Sequence, residues 1–104
     1  MTKEIYSYIW EFIVRDETRE RFEEIYGPKG DWAKLFQRSP GYLGTDLIRD
    51  KSQGQRYLTI DRWQSFEHFL VFKKEYQAEY QILDEICERL TLSERELGEF
   101  SYIT

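Results

Sequence analysis

The stretch Arg56 to Phe69, RYLTIDRWQSFEHF, decides the fold because it predicts a strand that runs directly into a helix. Tyr57 to Ile60 are good strand formers, and Ser65 stands where a helix N-cap belongs, just before an apolar periodic run. So short a connection holds the helix against the face of its own sheet. Trp63 then lies at the corner where sheet and helix meet.

The composition indicates one globular domain spanning residues 1–104. Hydrophobic residues make up 40% of the chain and aromatic residues 17%, which is too much for a disordered protein. The net charge of -5, with Lys and Arg interleaved with Asp and Glu, argues against nucleic acid or an anionic membrane as a partner. Because the sequence lacks a long apolar run and a signal-peptide core, we expect a cytoplasmic protein.

The chain has one cysteine, Cys87, and one histidine, His68. These counts exclude an internal disulfide framework, a thiolate zinc site and a centre built from several histidines. The sequence therefore predicts no metal site, and a reducing compartment fits the single thiol.

The segment Ile5 to Val14 is predicted to be a long strand with two largely apolar faces. One face carries Tyr6, Tyr8, Trp10, Phe12 and Val14, and the other carries Ile5, Ser7, Ile9, Glu11 and Ile13. A strand buried on both sides belongs in the middle of a sheet whose faces are both covered. Helices can cover one face in so small a protein, so a second layer must cover the other.

Two short helices are predicted after this strand. The first is capped by Asp16 and ends at Gly27-Pro28, and the second contains Trp32, Leu35 and Phe36. A hairpin loop, Lys51 to Gln55, should then join two antiparallel strands, Tyr42 to Asp50 and Arg56 to Trp63. In the first of these strands, simple alternation places Leu43, Thr45 and Leu47 on one face and Tyr42, Gly44, Asp46 and Ile48 on the other. In the second strand, one face carries Tyr57, Thr59, Asp61 and Trp63.

From Phe66 an apolar stripe with helical spacing runs as far as Leu90, long enough that we expect a bend between Lys73 and Gln77. The pairs Thr91 with Glu94 and Ser93 with Glu96 have capping-box spacing and predict a further helical turn, and Leu97 to Ile103 predicts a last strand. The predicted order of strands and helices along the chain is that of an α+β protein with an antiparallel sheet, the ferredoxin-like βαββαβ arrangement.

The chain resembles the antibiotic-biosynthesis-monooxygenase superfamily, the dimeric α+β barrels, over nearly its whole length. The resemblance is carried by Trp63-x-Ser65-x-x-x-Phe69, by Pro40-Gly41-Tyr42, and by the aromatic first strand followed by Arg15-Asp16 and Phe22. It implies a homodimer whose sheets pack face to face, which would cover the face that carries Ile5, Ile9, Ile13, Leu58 and Ile60. It also implies a cavity for a small aromatic ligand between each sheet and its helices.

The functional residues of known members differ at the matching positions. In cofactor-free, quinone-forming members an Asn four residues before the corner Trp helps to hold the substrate, whereas this chain has Thr59 there and contains no Asn. A pocket Tyr six residues after that Trp is replaced by Phe69. In haem-degrading members a Trp and a His fall on Phe72 and Ile82, so the usual iron ligand is absent and haem cleavage is rejected.

Asp61 is the candidate catalytic residue, because a buried carboxylate with a raised pKa can take a proton from a phenolic substrate. The alternative for Asp61 is a structural ion pair with Arg49 or Arg62, or a hydrogen bond to loop amides. The predicted substrate-binding residues are Trp10, Phe12, Thr59, Trp63, His68, Phe69 and Phe72. For His68 the alternative is a partly exposed helix position, and for the tryptophans it is ordinary core packing.

The resemblance to the cofactor-free members implies no cofactor, and two functions remain open at this point. The first is a cofactor-independent monooxygenase that acts on a small aromatic or polyketide-like metabolite, with Asp61 as proton acceptor and Trp10 and Trp63 holding the ring. The second is a non-catalytic homodimeric binding or structural module of the same fold. A cavity filled by aromatic side chains would favour the second, and an open cavity faced by Asp61 without an Arg partner would favour the first.

Overall fold

A computed structural model of the protein describes residues 4–103, which form an antiparallel sheet with helices packed on one face. The elements are β1 Tyr6–Val14, α1 Arg19–Tyr26, α2 Asp31–Phe36, β2 Tyr42–Arg49, β3 Arg56–Trp63, α3 Phe66–Glu75, α4 Gln77–Cys87 and β4 Thr91–Ser101, with short 3-10 turns at Asp16–Thr18 and Glu88–Leu90. The strand order is β2-β3-β1-β4. The predicted α+β, ferredoxin-like architecture with β1 inside the sheet is therefore confirmed.

The corner after β3 is built as the sequence predicts. Ser65 is the N-cap of α3, and its Oγ accepts a hydrogen bond of 3.2 Å from the backbone N–H of His68. Trp63 is fully buried, and its ring centroid lies 5.4 Å from that of Phe36 on α2 and 5.2 Å from that of Phe72 on α3. The start of α3 is thereby fixed to both the sheet and the second helix.

Gly41 lies directly against the first turn of α3. A Cβ atom at this position would come within 2.4 Å of the Cβ of His68. The carbonyl of Gly41 also accepts a hydrogen bond of 2.7 Å from the backbone N–H of Gln64. The small residue before β2 is therefore required by the close approach of the corner rather than by its own backbone angles.

The prediction for β2 needs a correction, because its first residues form a bulge. Tyr42 lies opposite Trp63 and Gly44 lies opposite Arg62, so that Leu43 is an extra residue in the strand. One extra residue moves every later side chain to the other face. Tyr42 consequently shares its face with Thr45 instead of lying opposite it.

Two local predictions at helix ends are also wrong. Asp16 does not cap α1: it begins the 3-10 turn and pairs with Arg19 at 2.9 Å, and α1 starts at Arg19. No helical turn follows Thr91 or Ser93, because both residues pair with β1 in the long strand β4. Sheet pairing here overrides a weak local signal.

The long helical stripe is interrupted where a bend was expected. α3 ends at Glu75 and α4 begins at Gln77, so the predicted break between Lys73 and Gln77 is confirmed. Within the described part of the chain, residues 4–103, none of the helices has the length and apolar character needed to cross a membrane.

The face of the sheet that carries no helix is called the open face here. Its centre contains the half-buried side chains of Ile9, Leu58 and Ile60, which occupy neighbouring register positions on β1 and β3. Ion pairs surround this apolar centre: Arg56 with Glu11 at 2.6 Å, Arg95 with Glu11 at 3.2 Å and Arg62 with Asp46 at 2.7 Å.

Candidate functional site

A cavity of about 260 Å³ lies between the helix-bearing face of the sheet and the helices. Its volume is close to the lower end of the range of small-molecule sites, roughly 300 to 1,000 Å³. The sheet contributes Tyr8, Trp10, Phe12, Thr45, Thr59, Asp61 and Glu94, and the helices contribute Tyr26, Trp32, Phe36, Lys73, Tyr80 and Asp84. Seven of these thirteen residues are aromatic, and the other six carry a hydroxyl, a carboxyl or an ammonium group.

Asp61 is the most perturbed carboxyl group of this wall. The side chain is only 6% exposed, and burial raises its pKa from 3.8 to about 7, because the charged form loses its hydration. Arg62, the next residue, points to the open face and pairs with Asp46 at 2.7 Å. Among residues 4–103 no Lys, Arg or His forms an ion pair with Asp61, so the structural ion pair that was the alternative for Asp61 does not occur.

A short hydrogen-bond relay leads away from this carboxyl group. Thr45 donates its hydroxyl proton to Asp61 Oδ1, and the hydroxyl of Tyr42 lies 2.5 Å from Thr45 Oγ1. With Asp61 ionised, Thr45 uses its proton for the carboxylate and Tyr42 donates to Thr45. The bulge in β2 is what brings Tyr42 to this side of the sheet.

Tyr8 faces Asp61 across the β1–β3 ladder. Its hydroxyl oxygen accepts a hydrogen bond of 3.4 Å from the indole N–H of Trp63. Burial first, and then the charge of Asp61, raise the pKa of Tyr8 well above its ordinary value, so this phenol stays protonated. It adds a second hydroxyl beside the carboxyl group.

Charged side chains from α3, α4 and β4 complete the wall. The ammonium group of Lys73 lies 4.6 Å from the centroid of the Tyr80 ring, a cation–π distance. Asp84 and Glu94 are acidic neighbours, and burial raises the pKa of Glu94. Burial raises the pKa of Tyr80 to about 12.

The structure brings some of the predicted site residues together and leaves others apart. Trp10, Phe12, Thr59 and Asp61 all border the cavity. Trp63, Phe69 and Phe72 do not: they pack on one another at the corner, where the apolar stripe of α3 meets Trp63. His68 lies on the first turn of α3, outside the wall, with Nδ1 2.6 Å from Ser65 Oγ.

Several wall residues were not among the sequence candidates: Tyr8, Tyr26, Trp32, Phe36, Thr45, Lys73, Tyr80, Asp84 and Glu94. Alternation alone could have found Tyr8, which shares its strand face with Trp10 and Phe12. The side chains from α4 and β4 had no such signal, because their position depends on the break after α3 and on the register of β4. No group of three or more His, Cys, Asp or Glu side chains within residues 4–103 could hold a metal ion.

No protein-family model matches the chain, and no curated protein matches it at a significant level. Several solved structures match the chain in fold. A point mutant of SnoaB, described as a cofactor-independent oxygenase from Streptomyces nogalater, has a TM-score of 0.78 and 20% identity, covering 97% of this chain and 95% of SnoaB.

Two further structures are described as candidate antibiotic biosynthesis monooxygenases. The protein from Nitrosomonas europaea has a TM-score of 0.74 and 13% identity, covering 99% of this chain and 94% of its own. The protein from Bordetella bronchiseptica has a TM-score of 0.73 and 18% identity, covering 98% of this chain and 100% of its own. The resemblance carried by the corner residues is thus confirmed at the level of the fold.

Proposed function

We propose that this protein is a cofactor-independent monooxygenase that oxidises a small aromatic or polyketide-like metabolite in the cavity between sheet and helices. The observation that carries the proposal is Asp61, a buried carboxyl group in an aromatic wall with no cationic partner among residues 4–103. With a pKa of about 7 it is about half ionised at neutral pH, which suits a general base.

In the proposed reaction, an activated methylene group between aromatic rings loses a proton to Asp61. The carbanion reduces dioxygen by one electron, and the carbon radical and superoxide combine to a peroxide anion. The peroxide takes the proton back from Asp61 and loses water, so that the methylene group and one dioxygen molecule give a ketone carbonyl and one water molecule. The substrate supplies all the electrons, and no external reductant or cofactor is needed.

The aromatic wall has a matching role in this proposal. The rings of Trp10 and Phe12 are stacked with centroids 6.4 Å apart on the sheet side, and Trp32 meets Tyr80 edge-on at 4.9 Å on the helix side. Flat surfaces on two opposite walls favour a planar ligand and exclude water from the carboxyl group. Thr59, beside Asp61 on the same strand face, is the polar neighbour at the position of the family Asn.

The test is oxygen uptake by wild type and Asp61→Asn across hydroquinones and compounds with an activated aromatic methylene group. Loss of a general base should lower the rate on the best substrate by about 100-fold or more. Asp31→Asn is a matched control, because this exposed carboxylate lies at the start of α2 and makes no side-chain hydrogen bond among the described residues. Equal rates for wild type and Asp61→Asn would remove Asp61 from the mechanism.

A second candidate is a non-catalytic homodimeric binding or structural module of the same fold. The replacement of the family Asn and Tyr by Thr59 and Phe69 favours it. Ligand binding by the wild type without oxygen uptake on any compound of the panel would select this module over the enzyme.

In both cases we infer a homodimer in which the open faces of two copies pack together. The apolar centre of Ile9, Leu58 and Ile60 and its surrounding ion pairs support this arrangement, since apolar centres with charged rims are typical of protein interfaces. The cytoplasm is the proposed location, because the single thiol of Cys87 fits a reducing compartment.

A further inference from the structure

Thr45 and Asp61 form a buried pair across two neighbouring strands. They occupy directly opposite register positions on β2 and β3, and each side chain is only 6% exposed. The hydroxyl of Thr45 donates a hydrogen bond to Asp61 Oδ1, and both residues border the cavity. One oxygen of the carboxyl group therefore has a fixed partner on the next strand.

The second oxygen of Asp61 is left open. Asp61 Oδ2 accepts no hydrogen bond from any residue between 4 and 103. Within the same range, the buried side-chain polar atoms that lack both a partner and solvent contact belong to Ser7, Arg19 and Trp32. Asp61 Oδ2 is not among them, so it keeps solvent-accessible surface. A carboxyl oxygen that is accessible and unbonded, on a residue that borders a cavity, is the atom that can reach a ligand.

Tyr42 fixes the direction of the hydrogen bond from Thr45. The hydroxyl of Tyr42 lies 2.5 Å from Thr45 Oγ1. Threonine has a single hydroxyl proton, so Thr45 donates to Asp61 while it accepts from Tyr42. The ring of Tyr42 is itself packed against the corner, with its centroid 5.4 Å from that of Trp63 and 5.5 Å from that of Phe36. The donor of Asp61 is thereby anchored to the most buried part of the fold.

We propose that Thr45, held by Tyr42, is a positioning residue for the proposed reaction: it binds Oδ1 of Asp61 and so makes Oδ2 the atom that takes the proton from the substrate. The inference rests on the proposed function and names the oxygen that acts as its base. The hydrogen bond opposes rotation of the carboxyl group, so the same oxygen faces the cavity in every turnover. One proton passes from the substrate carbon to Oδ2, and the hydroxyl protons of Thr45 and Tyr42 stay where they are.

The same hydrogen bond favours the ionised form of Asp61. Burial has the largest effect on the pKa of this carboxyl group and raises it. The hydrogen bond from Thr45 lowers the pKa more than the charge of Arg62 does, and Asp46, which pairs with Arg62, raises it. The other titratable side chains of the cavity wall are Tyr8, Tyr26, Lys73, Tyr80, Asp84 and Glu94. None of these six forms a hydrogen bond with Asp61 in the described part of the chain, so loss of the Thr45 hydroxyl should be visible in its titration.

The first test is the pKa of Asp61, measured by ¹³C NMR titration of its carboxyl carbon, which the spectrum of Asp61→Asn identifies. Thr45→Val keeps the shape of the side chain and removes the donor to the carboxylate, so the pKa should rise by about one pH unit or more. Thr45→Ser keeps the donor and should restore a pKa close to that of wild type. Tyr42→Phe should raise the pKa by a smaller amount, because Thr45 still donates but is no longer polarised by a second hydroxyl.

Thr59→Val is the matched control for this titration. It makes the same chemical change on the same wall, at a residue whose side chain forms no hydrogen bond with Asp61. The pKa of Asp61 should therefore stay nearly unchanged in this variant. A pKa in Thr45→Val that is no higher than in wild type or in Thr59→Val would overturn the inference. If Thr45→Val does not fold, an unshifted pKa in Tyr42→Phe would overturn it instead.

The second test is the pH dependence of the rate on the best substrate of the oxygen-uptake panel. Thr45→Val should move the rising limb of the profile to higher pH by the interval found in the titration. Well above both pKa values Asp61 is ionised in either protein, yet Thr45→Val should remain about tenfold slower because its carboxyl group is no longer oriented. Thr45→Ser should recover the wild-type rate, and equal rates for wild type and Thr45→Val at high pH would refute the positioning role. The NMR titration needs no turnover, so its outcome stays separate from the oxygen-uptake test of Asp61.

Discussion

At the scale of single residues, Asp61 shows how a candidate catalytic group can reduce the stability of its own fold. Its pKa of about 7 in the folded protein lies above the ordinary value of 3.8, so the folded chain binds more protons than the unfolded chain between these two pH values. The contribution of this group to stability is therefore most favourable below about pH 4 and is lost as the pH rises through 7. The folded protein keeps this carboxyl group although ionising it costs free energy.

Asp61→Asn should consequently be more stable than wild type at pH 8, by on the order of a few kcal/mol, because it removes the charging of a buried group. The gain should shrink at about pH 4.5, where the carboxyl group of the folded wild type is already protonated. Urea unfolding at the two pH values measures the difference. Asp31→Asn, at an exposed position, should change stability by less than about 0.5 kcal/mol at either pH. The same gain for Asp61→Asn at both pH values would contradict the assigned pKa.

The sequence predicted part of this residue-scale arrangement. Alternation on β3 placed Asp61 with Thr59 on one face, and the structure has them there. The relay through Thr45 and Tyr42 was not predicted, because the bulge in β2 changes the face of Tyr42. Gly44, an isolated glycine inside the strand with a φ of 150°, is the residue that could have marked the bulge.

At the scale of elements, the corner between β3 and α3 is where local sequence and tertiary structure agree most closely. Ser65 caps the helix by accepting the bond from His68 N, and its Oγ also lies 2.6 Å from His68 Nδ1. The cap is almost completely buried, with 1% exposure. The close fit of Gly41 against His68 makes the same turn part of the start of β2.

Ser65→Ala should lower the free energy of unfolding by about 1 kcal/mol or somewhat more, because the cap and the contact with His68 Nδ1 are lost together. Urea denaturation followed by circular dichroism measures the loss. Ser52→Ala is the control, since Ser52 lies in the exposed loop between β2 and β3. A loss no larger than that of the control would show that α3 is held by its packing alone.

The helical turn predicted after Thr91 or Ser93 was wrong because these residues belong to a strand. Thr91 and Ser93 have the spacing of a capping box, but pairing with β1 gives their backbone groups partners that a single helical turn cannot match. The break at Tyr76, in contrast, was predictable from length alone, because the stripe was too long for one helix. Short local motifs were therefore less reliable than long periodic ones.

At the scale of the whole molecule, helices cover one face of the sheet and the open face has an apolar centre. Alternation in β1 led to the expectation of a second layer. The structure confirms that side chains on both faces of this strand are buried or half-buried. The size and the wall of the cavity could not be predicted, because they depend on how far the helix layer stands from the sheet. Side chains from α4 and β4 border the cavity because of the break after α3 and the register of β4 on β1.

Ile60→Lys should convert the proposed homodimer into a monomer, because it places a charge at the apolar centre of the open face. Light scattering over a range of concentrations measures the mass. Ile82→Lys is the matched control, because Ile82 is 59% exposed on α4, within the helix layer. A wild type that stays monomeric at high concentration, or an unchanged mass for Ile60→Lys, would refute the face-to-face arrangement.

The position of β4 has a consequence for aggregation. β4 forms one edge of the sheet, and an edge strand offers unpaired backbone groups to any other strand, which is how fibrils begin to grow. Glu94, Glu96 and Glu99 lie opposite Phe12, Trp10 and Tyr8, so carboxylates recur along one side of this edge. In a protein of net charge -5 they repel the matching edge of a second copy at neutral pH. The same strand that completes the cavity wall therefore carries the charges that protect this edge of the sheet from pairing with a second copy.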